Sequence, residues 1–349
     1  SGFTEVEAVA GVAPYEPGAE LAEAEAEVVE GGGGRLRAIP VGEPSPSGFT
    51  SFLDGIQRSR IALYHGPVPI VHAYAAAVIR TRRGRRMGTL VAGGGRRVDR
   101  WGAERSGRPV GGEVGGGVPS VGAPFLEERE AVFFPYRLVD PERVAAAGID
   151  RARMEDTSGP EGDPLPLFPP LLYARAATAV NRWREGLEAE LAERWCAAGD
   201  GGWLLVDGSL TLSAQLASSD RAVGVIKGHR TRFFDGDDAR VLLGLRAGER
   251  TSIFQPRTRT FTPVYSWYLR LRSPAGRDVF WGLVRVEVAA SDDALARADE
   301  ISRWLLAETA PLSLPDSRWD RLLYPIRDCE AYLRSRAPSW GGAEGGPNP

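Results

Sequence analysis

The sequence is poor in residues on which several common chemistries depend. It has two cysteines, Cys196 and Cys329, too few for a disulfide scaffold or a four-thiolate zinc site. Three histidines in 349 residues argue against a histidine-rich metal centre. No apolar run reaches the roughly 18 residues of a transmembrane helix, and the first residues lack the pattern of a secretory signal. We therefore expect a soluble, cytoplasmic protein.

Lysine is the scarcest charged residue. Of the 43 basic side chains, 42 are arginine and one, Lys227, is lysine. Gly228 follows it and no P-loop precedes it, which excludes ATP hydrolysis by the P-loop mechanism. The motifs HExxH, GxSxG and CxxC are also absent, so the sequence carries no signature of the enzymes that use them.

Charge is distributed unevenly along the chain. Residues 1–34 carry eight glutamates and no basic residue, whereas the remainder has a net charge of +5. We predict an acidic, largely flexible arm over residues 1–46 and one domain over residues 47–337. A Gly-rich insert at about 93–122 is expected to be a surface loop, and residues 338–349 a disordered tail.

Strand and helix patterns are mixed in the body of the chain. Together they predict an α/β fold with one mixed central sheet flanked by helices. A hairpin is expected from two alternating segments joined by a Pro-Gly turn. The predicted strands cover residues 52–63, 70–79, 131–139, 203–206, 222–226, 264–272 and 279–288, and the predicted helices 171–198, 292–308 and 325–336.

Two aspartates occur in similar places. FLDG and LLVDGS put Asp54 and Asp207 at or near the end of an apolar strand, followed by glycine. Carboxylates at neighbouring strand ends would form a hard-oxygen site that suits Mg²⁺ or Mn²⁺. The alternative is that each Asp-Gly pair only begins a turn.

A long helix is predicted between these aspartates. Its apolar face contains Leu187 and Leu191, and Glu188 lies on the border of that face, one turn after Arg184. An acid in this place needs a cation, a metal or water as its partner. The simpler interpretation is an i,i+4 pair with Arg184. The order Asp54, Glu188, Asp207 matches that of the carboxylates in ribonuclease H-like nucleases, which hold two metal ions about 4 Å apart.

Lys227 and His229 follow the next strand, in VGVIKGHR. An ammonium is a compact charge that contacts a phosphate without the planar fork of arginine, so Lys227 is a candidate catalytic cation. The alternative is that a GC-rich codon bias replaced lysine by arginine elsewhere and that Lys227 remains by chance. His229 is a secondary candidate because it is two residues from Lys227. A histidine in such a place is more often a surface residue or a capping residue than a catalytic one.

Basic residues also cluster. Ten arginines lie between residues 78 and 108, and Arg257 and Arg259 have Phe254, Phe261 and Tyr265 nearby in the sequence. Cations that pair with phosphates and aromatic rings that stack on bases are typical of a groove for single-stranded nucleic acid. The alternative is that these arginines lie on a strand that is exposed to solvent and bind no ligand.

Five motifs together resemble the NurA-type nucleases: FLDGIQRSR, NRWREGLE, LLVDGSL, VGVIKGH and YPIRDCEAYL. The resemblance covers roughly residues 47–335, and LLVDGSL followed by VGVIK is its most specific part. It implies a ribonuclease H-like, homodimeric DNase that uses Mn²⁺ or Mg²⁺ and works with a HerA-type hexameric ATPase in DNA end resection or anti-phage defence.

The resemblance also implies roles for individual residues. Asp54, Glu188 and Asp207 would be the metal ligands, and Lys227 would contact the scissile phosphate. The C-terminal motif departs from the family, which often has a histidine or tyrosine there, and Asp328 is our choice for the remaining ligand. The predicted DNA contacts are Arg58, Arg257, Arg259 and Tyr324.

Two other functions fit the same features. One is a non-catalytic DNA-binding or scaffolding subunit that keeps the ribonuclease H-like fold. The other is a different ribonuclease H-like enzyme, of the RNA-guided or transposase type. Cleavage of labelled DNA with Mn²⁺ and with EDTA separates a nuclease from a binding subunit.

Overall fold

The computed structural model describes residues 22–84, 86–91, 123–199, 202–257, 262–309 and 323–339. Over these residues the chain is mixed α/β, with a large mixed sheet and several helices. This agrees with the fold class predicted from the sequence. No helix in the described ranges combines the length and apolar character required to cross a membrane.

Fifteen strands and six α-helices are present in the described residues. The strands are β1 (Ala22–Glu23), β2 (Glu25–Val28), β3 (Ala38–Pro40), β4 (Phe49–His65), β5 (Val68–Arg83), β6 (Arg86–Thr89), β7 (Leu126–Phe134), β8 (Met154–Asp156), β9 (Trp203–Asp207), β10 (Ala222–Ile226), β11 (Thr231–Arg232), β12 (Glu249–Thr251), β13 (Phe254–Arg257), β14 (Val264–Arg270) and β15 (Leu283–Ala289). The helices are α1 (Pro141–Ala146), α2 (Pro169–Ala198), α3 (Ala214–Ala217), α4 (Gly236–Leu243), α5 (Asp292–Glu308) and α6 (Tyr324–Arg336).

The chain divides into two compact units. The first comprises residues 1–53, 195–328 and 341–349, and the second residues 54–194 and 329–340. Strand β4 and helices α2 and α6 contribute residues to both units.

In the first unit, the beginning of β4 runs parallel to β9, and β9 runs parallel to β10. Strand β10 pairs with β15 antiparallel, followed by β14, β13 and β2. Residues 204–206 of β9 are buried, as expected for a strand covered on both faces. This order places the carboxyl ends of β9 and β10 beside each other.

In the second unit, β5 pairs antiparallel with β7, and β7 pairs parallel with β8. Helix α2 begins at Pro169, and proline suits the first turn of a helix because it lacks an N–H group to be satisfied. Ala176 and Val180 of α2 pack against Val71 and Phe133 of the two strands. The helix is thereby held against the sheet.

Most predicted elements are confirmed, including α2, β9, β10, α5, α6 and the antiparallel pairing of β14 with β15. The arm differs from its prediction. Composition indicated a flexible segment over residues 1–46, whereas residues 22–40 contribute the three strands β1, β2 and β3. The Gly-rich insert at 93–122, residues 1–21 and most of the predicted tail lie outside the described residues.

Candidate active site

Asp207 and Lys227 form an ion pair at the ends of two adjacent parallel strands. Asp207 is the last residue of β9, and Lys227 directly follows β10. Lys227 Nζ lies 2.7 Å from Asp207 Oδ2, and the two side chains are 35% and 24% exposed. The single lysine of the chain therefore contacts one of the two aspartates that the sequence pattern indicates, and both side chains are partly exposed.

The chain turns sharply after Asp207. Gly208 has φ +144°, a conformation that favours glycine, and its N–H donates to Val225 O on β10 at 3.0 Å. Gly224 of β10 lies directly under this turn, because a Cβ on it would be 2.7 Å from Gly208 O. Gly208 and Gly224, the glycines of LLVDGS and VGVIK, thus allow the turn to pack closely against the neighbouring strand.

Glu287 holds the same turn, and sequence analysis missed it. Its Oε2 accepts hydrogen bonds from Ser209 Oγ at 2.6 Å and from Leu210 N at 3.0 Å. Its Oε1 lies 2.5 Å from Arg285. Glu287 is opposite Gly224 in the β10–β15 pairing, so the missing side chain of Gly224 leaves room for the turn next to the carboxylate. Glu287 is therefore a positioning residue for the segment that follows Asp207.

Asp54 and Glu188 lie in the second unit. Asp54 is not at a strand end, because β4 continues for another 11 residues, to His65. It is buried, and its Oδ1 accepts a hydrogen bond from Gly55 N at 2.8 Å. A Cβ on Gly55 would collide with Oε1 of Glu188, so the absence of a side chain on Gly55 lets the helix carboxylate lie against the strand.

Glu188 is buried and pairs with Arg184 on the preceding turn of α2. Arg184 also donates to Asn181 Oδ1 at 3.2 Å. The simpler interpretation of this helix, an i,i+4 ion pair, is therefore realised, although Glu188 is much more buried than the exposed pairs for which that interpretation is usual. Leu187 and Leu191 are fully buried, which confirms the predicted apolar face.

The carboxylate oxygens of these acids are ligands that suit Mg²⁺ or Mn²⁺. Within the described ranges, no group of three or more His, Cys, Asp and Glu side chains is arranged to hold a metal ion. Asp207 and Glu188 each have a cation as partner. Asp328, the fourth predicted ligand, is a half-buried residue of α6, and its role as a ligand stays a prediction.

His229 has the contacts of a packed side chain. Its ring stacks on Phe280, with 4.9 Å between centroids, and its Nε2 is 3.1 Å from Leu283 O. Burial lowers the pKa of His229, and the nearby cations Arg270 and Arg285 lower it further. The ring is therefore neutral near pH 7, and these contacts favour a structural role over the predicted catalytic one.

The predicted DNA contacts have different surroundings. Arg58 and Tyr324 are exposed, whereas Arg257 pairs with Glu27 of the acidic segment. Arg259 and Phe261 lie outside the described residues. Phe254 is fully buried and stacks on Tyr268, so it is a core residue and is not available to stack on a base.

Neither a protein-family model nor a curated protein matches this chain. Two groups of residues therefore carry the functional argument. One is Asp207 with Lys227 and the turn held by Glu287, and the other is Asp54 with the helix carboxylate Glu188.

Proposed function

We propose that this protein is a deoxyribonuclease that hydrolyses phosphodiester bonds and requires Asp54, Glu188, Asp207 and Lys227. The observation that carries the proposal is the contact of 2.7 Å between Asp207 and Lys227, the only lysine in the sequence. An exposed arginine could form this ion pair equally well, so a purely structural role does not explain why this one position carries lysine while every other basic residue is arginine. Phosphate chemistry gives a reason for the lysine.

The physical basis is the charge that develops during phosphodiester cleavage. An ammonium group that is already oriented stabilises negative charge on a phosphate oxygen without first having to reorganise. Lys227 is oriented by Asp207, and both side chains are partly exposed to solvent, which a cation that binds a phosphate from solution requires. Asp207 in turn is fixed by the turn that Glu287 and Gly224 support.

The arrangement of elements is compatible with the ribonuclease H-like class. In the second unit, antiparallel strands precede a 30-residue helix that carries a buried glutamate. In the first unit, β9 runs parallel to the beginning of β4 and ends on an aspartate. These features support the proposed fold family together with the motifs quoted above.

A second candidate function is a DNA-binding subunit without nuclease activity. It is favoured by the ion pairs of Asp207 and Glu188, which satisfy both carboxylates without a metal ion. A binding subunit predicts salt-dependent affinity for DNA and no cleavage product under any metal condition.

Cleavage assays on matched variants separate these functions. Labelled single-stranded and duplex DNA would be incubated with Mn²⁺, with Mg²⁺ or with EDTA. We expect product with a metal ion and none with EDTA, and we expect Asp54→Asn and Asp207→Asn to abolish it while the thermal unfolding temperature stays within a few degrees of the wild type. Asp220→Asn is the control, because Asp220 is 84% exposed and also loses one carboxylate. Binding without cleavage by the wild type would support the second candidate.

The proposal extends to a partner. The chain carries no P-loop, and we propose that a HerA-type ATPase is the motor that moves duplex DNA, acting with a homodimer of this protein. Co-purification of the two proteins, followed by ATP-dependent degradation of linear duplex DNA, tests the partnership. Equal degradation with and without the ATPase would contradict it.

A further inference from the structure

Residues 22–30 form an acidic strap on the first unit. The strap contains Glu23, Glu25, Glu27 and Glu30 and no basic residue. Glutamates alternate with Ala24, Ala26 and Val28, so the acids lie on one face of β2 and the apolar side chains on the other. Ala26 and Val28 pack against the core of the unit, and β2 pairs with β13 along its length.

The two ends of the strap are held differently. At the inner end, Glu30 accepts hydrogen bonds from Arg250 at 2.7 and 2.9 Å, and Arg250 is 3% exposed. At the outer end, Glu23 pairs with Arg232 and Glu27 with Arg257. All four side chains of the outer pairs are at least half exposed, and such pairs contribute little to stability. The backbone of the strap is therefore held by strand pairing and by Glu30, whereas the outer carboxylates of Glu23 and Glu27 are only weakly held by their arginines.

The strap presents a row of negative charges to arginines that are candidates for binding DNA. Alternate residues of a strand are about 6.8 Å apart, so the outer carboxylates form a line of regularly spaced anions, as the phosphates do along an extended nucleic-acid strand. Arg257 is one of the DNA contacts predicted from the sequence, and in the structure its partner is Glu27. Arg232 pairs with Glu23 in the same way, with 2.6 Å between its guanidinium nitrogen and Glu23 Oε1.

We propose that Arg232 and Arg257 belong to a surface that binds single-stranded DNA, and that the acidic strap competes with DNA for these two arginines. This inference rests on the proposed function only in taking DNA as the ligand. It does not require cleavage.

The test is a comparison of affinities for a fluorescent oligothymidylate, measured by anisotropy with EDTA present so that no cleavage occurs. The strap variant is Glu23→Gln/Glu25→Gln/Glu27→Gln, which keeps side-chain size and the alternating pattern. The control variant is Glu155→Gln/Glu161→Gln/Asp163→Asn, which removes three exposed acids of the second unit.

We expect the strap variant to bind about 2- to 30-fold more tightly than the wild type at low salt, because DNA no longer has to break two exposed ion pairs. The slope of log K against log salt should become steeper by about one to two units, one for each arginine released to a phosphate. The control variant should show a smaller gain in affinity and an unchanged slope. Equal behaviour of the two variants would overturn the proposal.

A second measurement ties the effect to Arg257. Arg257→Gln should weaken DNA binding more in the strap variant than in the wild type, because the wild-type arginine is already occupied by Glu27. An equal loss of DNA affinity in the wild type and in the strap variant would overturn the proposal that the strap competes with DNA. If neither the wild type nor any variant binds DNA, the proposed function fails together with this inference, whereas tight binding that ignores the strap refutes the inference alone.

Discussion

Replacement of Glu287 by alanine tests the claim that this residue holds the turn after Asp207. The Glu287 side chain is 3% exposed and its partner Arg285 is 14% exposed. Alanine leaves a largely buried cation, the hydroxyl of Ser209 and the N–H of Leu210 without their acceptor. Removal of one member of a buried ion pair typically costs about 3–5 kcal/mol, and we expect Glu287→Ala to lie in that range.

Two further variants make the measurement specific. Glu287→Gln keeps an acceptor oxygen and loses the charge, so the expected cost is about 1.5–3 kcal/mol. The double variant Arg285→Met/Glu287→Met should cost less than the sum of its single changes, because no unpaired charge remains. Urea unfolding at pH 7 gives all the values. A cost below about 1 kcal/mol for Glu287→Ala would refute the reasoning, since the site would then readjust without the carboxylate.

Three other predictions concern single positions. Gly55→Ala should slow cleavage by about 100-fold with a small loss of stability, because the new methyl group displaces the Glu188 carboxylate. A displacement of about 1 Å in an active site typically slows catalysis by about that factor. An unchanged cleavage rate would contradict this prediction. Lys227→Arg should lower the cleavage rate at least about tenfold, since a planar guanidinium replaces a compact ammonium; full activity would make the lysine incidental. Burial opposes ionisation of Glu30, but hydrogen bonds from Arg250 and from the Ile253 N–H, with the charges of Arg250 and Arg37, together outweigh it and lower the pKa of Glu30. Its contribution to stability is therefore present above the unfolded-state pKa of about 4.3 and is lost as the pH falls through the lower folded-state pKa. Unfolding free energies measured from pH 3 to 6 should fall less steeply for Glu30→Gln than for the wild type, and parallel curves would contradict the assignment.

Local sequence patterns predict the elements that carry the Asp207–Lys227 pair. Helix α2 was predicted from its composition and apolar periodicity, and the strands β9 and β10 from short apolar runs bounded by turns. Asp207 and Lys227 each follow such a run, and the structure places them in contact. Parallel neighbouring strands bring their carboxyl ends together, so this pair follows from local pattern and topology.

The failures came from contacts distant in the sequence. Glu287 lies in an alternating strand and looks like an outward-facing acid, but its partner Ser209 is 78 residues away. The acidic composition of the strap indicates a flexible arm, whereas the alternation from Ala24 to Val28 is a strand pattern. Its pairing partner β13 and the cation that binds Glu30, Arg250, both lie more than 200 residues further along the chain. Phe254 was grouped with arginines near it in the sequence, but tertiary packing buries it.

The central claim is that this chain hydrolyses phosphodiester bonds. The direct test is incubation of DNA with the wild-type protein and Mn²⁺ in water enriched in ¹⁸O, followed by mass spectrometry of the products, with Asp207→Asn and EDTA as parallel samples. We predict one ¹⁸O atom in the terminal phosphate for each bond cleaved, and intact DNA in both parallel samples. Intact DNA with the wild type at saturating protein concentration, or equal cleavage by Asp207→Asn, would contradict the account.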